Sequence, residues 1–327
     1  MTAASFTPRG PFSLAASTRF LEGFTPASYD HPADDVLRLA FPADDNQHVV
    51  GCAVRQGEGA DAAVTADFTL RTDQDAPAES QQTQRIGPDD PAHPPHRTDA
   101  DRRETVHAQI ARILSLDIDG AGFPAVGDRD EVVASLQADY PGLRPVCFYS
   151  PYEAAAWTII GNRIRTTQAA AIKAGLARDH GRAVEVAGRT LYAFPTPAVL
   201  RNLAHIPGLT DIKIERLHAL ADATLAGDLD AAALRAQDPG HALRALQKLP
   251  GIGPFSADLI LIRGAGHPDV FPVAEPRVHQ AMAAEYGLDA TTAENPARLA
   301  AIAENWSPYR SWVSLLLRVR MQDRASG

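Results

Sequence analysis

Two glycines in the segment 249–257, which reads LPGIGPFSA, constrain the fold of this 327-residue chain more than any other feature. Gly251 and Gly253 separate two stretches whose apolar residues recur at helical spacing, and glycine permits the backbone angles of a tight turn. Pro254 stands where the second helix would begin, a position at which its missing N–H costs nothing. The segment therefore predicts two helices joined by a hairpin. The start of the second helix would bind an anion, of which a nucleic-acid phosphate is the usual one.

The remaining sequence divides into three parts of different composition. Residues 1–71 contain short apolar runs broken by turn residues, at 12–14, 36–39, 48–54 and 63–70, and predict a small antiparallel β-sheet domain. Residues 72–104 are rich in proline and acids, which predicts a linker or loop because such a composition cannot bury a core. From 105 to 327 the apolar spacing is helical throughout, and Ser150-Pro151 predicts one helix start. The predicted fold class is α+β, mainly α-helical, with a small N-terminal antiparallel β-sheet domain. We also expect the final two thirds of the chain to be all helical.

Several functional classes are disfavoured by composition. The sequence has no apolar run of bilayer length and no basic-then-apolar leader, so we expect a cytoplasmic protein that does not associate with a membrane. Two cysteines, Cys52 and Cys147, are too few for a disulfide scaffold and suit a reducing compartment. There is neither a spaced His/Cys cluster nor a Gly-Lys-Ser/Thr loop, and we therefore expect no metal and no nucleotide cofactor.

The net charge of −9 is distributed unevenly along the chain. Residues 1–150 contain 23 acidic and 12 basic residues, whereas residues 151–327 contain 17 acidic and 19 basic residues. Binding to nucleic acid requires a local basic face and not a basic protein. The charge distribution therefore permits the helical part to bind nucleic acid without predicting that it does.

Other short runs of residues lie on both sides of the hairpin in the sequence. They are Arg263-Gly264, Asp269-Val270-Phe271 and the run WSPYRS at 306–311 on one side, with the runs PGLR at 141–144, IIGN at 159–162 and FPTP at 194–197 on the other. On these residues the chain resembles the helix-hairpin-helix DNA glycosylases of base-excision repair, and more narrowly the DNA-3-methyladenine glycosylase II family. The resemblance covers roughly residues 105–322.

This resemblance implies a fold, a partner and a reaction. It implies a helical glycosylase core of two lobes over 105–327, with the hairpin at 249–257. It also implies a monomer, associated with the nucleoid, that acts on duplex DNA containing damaged bases. Phe255 occupies the position where bifunctional relatives carry a lysine that forms a Schiff base, so the resemblance implies a monofunctional enzyme without a covalent lyase step.

Glu275 aligns without gaps with the catalytic aspartate of the family. Breaking an N-glycosidic bond builds positive charge on the sugar, and a fixed anion in a dry pocket lowers that barrier. The extra methylene of glutamate displaces the carboxylate by about 1.5 Å relative to aspartate. The alternative interpretation is that Glu275 caps the helix that follows it, because acids are favoured in a first turn.

The resemblance also assigns residues to a base pocket and to the DNA interface. Phe255 stands where the family has an aromatic residue that stacks on the extruded base, Leu259 where it often has tyrosine, and Arg318 where it has a pocket tryptophan. Phe255 could equally be a core residue. An arginine in the pocket would repel a cationic alkylated base.

At the interface, Asn162 and Arg163 occupy the position of the wedge that fills the gap left by a flipped base. They could also belong to a solvated helix face. Lys248 and the backbone of Gly251 and Gly253 would bind phosphate, although Lys248 could be an ordinary surface charge.

Three hypotheses follow. The first is a monofunctional DNA glycosylase that excises a damaged, alkylated purine from duplex DNA. The second is a non-catalytic helix-hairpin-helix protein that binds DNA or recognises damage. The third is a glycosylase for a different, neutral or anionic lesion.

Overall fold

The computed structural model describes residues 2–23, 34–59, 62–72 and 98–326. The strands are β1 Thr2–Phe6, β2 Leu37–Pro42, β3 His48–Gln56, β4 Val64–Thr72, β5 Arg182–Val186 and β6 Arg189–Ala193. The helices of the first half are α1 Leu14–Gly23, α2 Asp99–Ile113, α3 Pro124–Gly127, α4 Glu131–Asp139, α5 Pro151–Gly161, α6 Thr166–His180 and α7 Pro197–Leu200. Those of the second half are α8 Asp211–Leu225, α9 Ala231–Ala236, α10 Pro239–Leu246, α11 Pro254–Leu259, α12 Pro276–Tyr286, α13 Ala290–Ala293, α14 Pro296–Ala303 and α15 Arg310–Ser326. A π-helical turn, Ile260–Gly264, continues α11, and a 3₁₀ turn, Glu304–Trp306, continues α14. Within the described ranges, no helix has the length and apolar character needed to cross a bilayer.

The N-terminal strands form one antiparallel sheet in the order β1-β4-β3-β2. Its central strand β3 is buried from His48 to Val54 because both faces of the sheet are covered. One face, which includes Val50 and Cys52, packs against α1 and α2. The sheet therefore shares its core with the first long helix and is not an independent β-domain.

The predicted strand at 12–14 was wrong. Phe12 and Ser13 precede α1, and the Ser13 hydroxyl accepts a hydrogen bond from the backbone N–H of Ala16 at 3.1 Å. This side-chain cap favours a helix start over an extended strand. The fourth strand of the sheet is instead β1, which pairs with β4 from Thr2 to Phe6.

The prediction of an all-helical final two thirds was also wrong. Strands β5 and β6 form an antiparallel hairpin between α6 and α7. Val184 and Val186 of this hairpin pack against Ala40, Val49 and Ala53 on the second face of the N-terminal sheet. The hairpin is stable because that apolar face needs a cover, a long-range requirement that composition does not reveal.

The boundary between linker and helix lies earlier than expected at residue 105. Helix α2 begins at Asp99 because Thr98 and Asp101 form a reciprocal capping box, in which each side chain accepts the other residue's backbone N–H. Most of the linker predicted at 72–104 lies outside the described residues. Thr72 itself is the last residue of β4.

The helices bury two hydrophobic cores besides the core under the sheet. One core is built from α5, α6, α8, α10 and α11, and the other from α4, α12, α14 and α15. Val270 belongs to the first core and the next residue, Phe271, belongs to the second. The segment that carries Glu275 therefore crosses from one helical lobe to the other.

Candidate active site

The glycine-rich segment forms the predicted hairpin between α10 and α11. Gly251 has a φ of 88°, a left-handed conformation that favours glycine. The N–H of Ile252 donates to the carbonyl of Leu249 at 3.1 Å, which closes the turn, and the Ile252 side chain is buried in the first helical core. Pro254 is the first residue of α11, as predicted. The buried side chain of Ile252 therefore anchors the hairpin to the first helical core.

The outer side of this hairpin is open. Gly253 is the N-cap of α11, and no side chain caps that helix. A β-carbon built on Gly253 meets no described atom within 4 Å. Lys248 is exposed beside it, and its ammonium has no hydrogen bond or ion pair in the described part of the chain. The first backbone N–H groups of α11 therefore face space that a phosphate oxygen can enter.

The wedge residues of the resemblance lie where α5 ends. Asn162 is the C-cap of α5, and Arg163 follows in a left-handed conformation with φ of 57°. Both residues are exposed. A non-glycine residue in this conformation costs of order 1 kcal/mol or more, so the surrounding structure must hold the turn in place.

The position of Glu275 bears on the two interpretations that the sequence left open. It is the N-cap of α12, and its Oε1 accepts a hydrogen bond from the backbone N–H of Arg277 at 3.1 Å. The same oxygen accepts a hydrogen bond from Nη1 of Arg318 at 3.1 Å. The side chain of Glu275 is 17% exposed and that of Arg318 is 27% exposed. The prediction that Glu275 caps α12 is confirmed, and the carboxylate remains partly open to a ligand.

Arg318, on α15, brings a positive charge to this carboxylate. Burial lowers the pKa of its guanidinium, and the charge of Glu275 opposes that shift. Its Nε is buried and has no hydrogen-bond partner among the described residues. The arginine therefore retains an unused hydrogen-bond donor beside the candidate catalytic group.

A second carboxyl group, Asp258 of α11, supports the segment that leads to Glu275. It is buried, and its Oδ2 accepts a hydrogen bond from the backbone N–H of Ala274 at 3.0 Å. Burial raises its pKa to about 6, with the charge of Glu275 acting in the same direction and the bond to Ala274 opposing it. Asp258 therefore positions the loop before Glu275, and the two carboxyl groups are electrostatically coupled.

The same loop is anchored from the other lobe. Asp269 accepts hydrogen bonds from Nε and Nη2 of Arg310, at 2.8 and 2.9 Å, and from the hydroxyl of Ser307 at 3.0 Å. The Ser311 hydroxyl contacts the backbone of Val270 at 3.0 Å. Asp269-Val270-Phe271 and the run at 306–311 are therefore the two sides of one joint that holds the start of the Glu275 segment.

The other two residues that the resemblance assigns to a base pocket differ in how much of their side chains is exposed. Phe255 is 44% exposed, so the interpretation as a core residue was wrong. Leu259, one turn further along α11, is partly buried and packs against the first helical core. Phe255 therefore exposes much of its aromatic ring to solvent at the start of α11, whereas the side chain of Leu259 is partly covered by the core.

The chain is similar in sequence to proteins named DNA-3-methyladenine glycosylase. No protein-family model matches the sequence. The DNA-3-methyladenine glycosylase of Bacillus subtilis is 26% identical over 177 residues, which are 53% of this chain and 58% of that protein. DNA-3-methyladenine glycosylase 2 of Escherichia coli is 29% identical over 184 residues, which are 55% of this chain and 61% of that protein. The chain thus spans less than two thirds of the length of either relative.

Among solved structures, the 3-methyladenine DNA glycosylase of Archaeoglobus fulgidus superposes with a TM-score of 0.71 at 19% identity, and the match covers 98% of both chains. The chain has the fold of the helix-hairpin-helix DNA glycosylases. The predicted fold class and the resemblance identified from the sequence are thereby confirmed. On this fold, Glu275, Arg318 and Asp258 meet where the two helical lobes join, and the hairpin opens at the N-terminus of the helix that carries Asp258.

Proposed function

We propose that this protein is a DNA glycosylase that flips a damaged purine out of duplex DNA and hydrolyses its N-glycosidic bond. The observation that carries the proposal is the placement of Glu275: its carboxylate is partly exposed, bonded to Arg318, and held at the joint between the lobes. The names of the two relatives and the shared fold support the same conclusion.

In this proposal Glu275 stabilises the positive charge that develops on the sugar as the bond to the base breaks. A fixed anion in a pocket with little water is worth more than the same charge in solvent. Phe255 provides no amine at the position of the Schiff-base lysine, so water attacks the sugar and the reaction stops at the abasic site. The exposed ring of Phe255 stacks on the extruded base.

The DNA is held by two features that are separate in sequence. The backbone around Gly251 and Gly253, together with Lys248, binds phosphate oxygens at the open start of α11. Asn162 and Arg163, which are exposed at the end of α5, enter the gap that the flipped base leaves. Because one chain supplies all of these groups, we propose that the protein acts on DNA as a monomer. We also propose that it acts in the cytoplasm, associated with the nucleoid.

The class of lesion follows from two considerations. The names of the relatives favour an alkylated purine as the first candidate. The ion pair between Glu275 and Arg318 favours a second candidate, a neutral purine with a carbonyl oxygen, because the partly exposed guanidinium of Arg318 can donate to that oxygen while its charge disfavours a cationic base. A neutral base also leaves as an anion, which a guanidinium stabilises.

One experiment tests the proposal. Base release is measured from duplexes that contain 7-methylguanine, 3-methyladenine, hypoxanthine or 8-oxoguanine, with wild-type protein, Glu275→Gln, and Glu294→Gln as a control at an exposed acid. We expect release from at least one duplex, a loss of at least a hundredfold in Glu275→Gln, and no change in Glu294→Gln. Duplex binding without release from any lesion would instead favour the non-catalytic DNA-binding protein.

A further inference from the structure

Lys213 joins two parts of the molecule that are far apart in sequence. It lies in the first turn of α8, and its Nζ donates to the carbonyl of Ile160 and to the carbonyl of Asn162, both at 2.8 Å. The last carbonyls of a helix have no partner within the helix, and a cation is favoured there. Burial lowers the pKa of Lys213, and the neighbouring charge of Arg216 acts in the same direction. Lys213 therefore caps the end of α5 from a different helix.

These two carbonyls flank the turn that carries the candidate wedge. Asn162 is exposed, and Arg163 has the unfavourable left-handed backbone conformation described above. A strained turn persists only when its surroundings fix it. By binding the carbonyls of Ile160 and Asn162 together, Lys213 fixes the backbone immediately before Arg163.

Arg216 lies three residues after Lys213, on the same side of α8. Its side chain lies against the hairpin: a β-carbon built on Gly251 would lie 2.7 Å from Cδ, 3.1 Å from Nε and 3.4 Å from Nη1 of Arg216. The guanidinium makes no hydrogen bond or ion pair with any residue in the described ranges. An unpaired guanidinium beside the backbone of an anion-binding turn is suited to a phosphate.

We propose that the first two turns of α8 act as a brace, by which we mean that they fix the position of the wedge turn relative to the hairpin. Lys213 is a positioning residue that fixes the turn at Asn162 and Arg163, and Arg216 contacts the DNA phosphate next to Gly251. The inference rests on the proposed function in one respect, namely that DNA docks on the hairpin and the wedge together. It adds two residues to the interface that the resemblance did not assign.

The test separates base flipping from binding and from chemistry. A duplex with a single 2-aminopurine is titrated with full-length protein in the Glu275→Gln background. The rise in 2-aminopurine fluorescence at saturation reports unstacking, and fluorescence anisotropy of the same duplex at several salt concentrations reports affinity. The variants are Lys213→Met, Lys213→Arg and Arg216→Met, with Arg55→Met as a control cation on the N-terminal sheet.

Lys213→Met should lower the unstacking signal at saturation at least threefold while the Kd changes less than threefold, and Lys213→Arg should restore most of the signal. Arg216→Met should weaken binding about tenfold at low salt and lower the salt slope by about one, with the saturated signal unchanged. Arg55→Met should alter neither. Circular dichroism melting identifies any variant that has lost its fold, and if Lys213→Met has, Lys213→Gln replaces it, because its shorter side chain does not reach both carbonyls.

An unchanged unstacking signal in Lys213→Met, or an unchanged salt slope in Arg216→Met, would overturn the corresponding half of the inference. Either result would leave the proposed glycosylase activity standing, because that activity is tested by base release. Conversely, unstacking without base release from any lesion by the wild-type protein would contradict the proposed catalysis and leave the brace in place.

Discussion

Glu275 Oε1 and Arg318 Nη1 lie 3.1 Å apart although 43 positions separate the two residues in sequence. The pair connects the N-cap of α12 to the middle of α15 and places a cation against the candidate catalytic anion. The pair sets two requirements. The side chain at position 275 must be long enough for its carboxylate to reach the guanidinium, and the substrate must be compatible with a positive charge nearby.

Glu275→Asp tests the first requirement. Aspartate is a good N-cap, so α12 should keep its start. The shorter side chain withdraws the carboxylate from Arg318 by about 1.5 Å, and a displacement of about 1 Å can cost on the order of a hundredfold in rate. We expect single-turnover base release to fall by between ten- and a hundredfold with an unchanged melting temperature. An increase in rate would mean that the pocket is already arranged for the aspartate of the family.

Arg318→Met tests the second requirement. Methionine retains apolar bulk and removes both the charge and the hydrogen-bond donors of the guanidinium. A hydrogen bond to a charged group is worth about 1.5–3 kcal/mol, so the ratio of cationic to neutral bases released should rise by at least tenfold. The measurement compares release of 7-methylguanine and of hypoxanthine by one preparation. Equal losses on both lesions would show that Arg318 only orients Glu275.

Asp258→Asn tests whether the raised pKa of the buried carboxyl group makes the stability of the fold depend on pH. Since burial raises the pKa of Asp258 from 3.8 to about 6, the folded protein binds this proton more tightly than the unfolded chain does. Ionised Asp258 therefore destabilises the fold above about pH 6, and this cost disappears as the pH falls toward 4. The amide oxygen of asparagine can still accept the N–H of Ala274. We expect Asp258→Asn to melt higher than wild type at pH 7.5 and to lose that advantage by pH 4. A constant difference across this range would contradict the assignment.

The two hairpin glycines provide a matched pair of variants. Gly251→Ala places a β-carbon 2.7 Å from Cδ of Arg216 at a left-handed φ, and should cost about 1–2 kcal/mol of stability as well as DNA affinity. Gly253→Ala meets no described atom and has an ordinary φ of −95°, so stability should be unchanged. Its methyl group nevertheless obstructs the approach of a phosphate. We expect both variants to bind duplex DNA at least tenfold more weakly in anisotropy titrations, and tight binding by Gly253→Ala would exclude the hairpin as the phosphate site.

Arg144→Met tests the fold away from the site. The buried guanidinium donates to the carbonyls of Arg9, Gly10, Pro11, Ser115 and Ile118, at 2.6 to 3.2 Å. Methionine would leave these acceptors unpaired, and each buried acceptor without a donor costs about 1–3 kcal/mol. We expect a loss of at least 3 kcal/mol in urea unfolding, and lysine should not restore it because it cannot span the same acceptors. A loss below about 1 kcal/mol would indicate that water replaces the arginine.

Local signals in the sequence predicted the hairpin well. Gly251, Gly253 and Pro254 act on the residues next to them, so their effect does not depend on the rest of the fold. The same holds for Ser150, whose hydroxyl accepts the N–H of Glu153 at 3.1 Å at the start of α5.

Features that depend on distant partners could not be predicted in this way. The β5–β6 hairpin exists because Val184 and Val186 cover a sheet that lies more than a hundred residues earlier. The side chain of Glu153 shows the same limit, because it forms an ion pair with Lys173 of α6, a partner that lies on another helix. For the same reason nothing in the sequence marks Lys213, whose partners lie 51 and 53 positions away. The ion pair of Glu275 and the raised pKa of Asp258 likewise arise only once α11, α12 and α15 meet.

The cover that β5 and β6 provide on the N-terminal sheet has a consequence for how the protein approaches a charged polymer. It attaches the N-terminal sheet to the helical lobe that carries the hairpin, so the excess of acidic residues in the described part of the first 150 positions contributes to a permanent dipole moment. In the field of a polyanion, such a dipole experiences a torque before any contact forms. On the function proposed above, this torque turns the acidic side outward and the hairpin side toward the duplex.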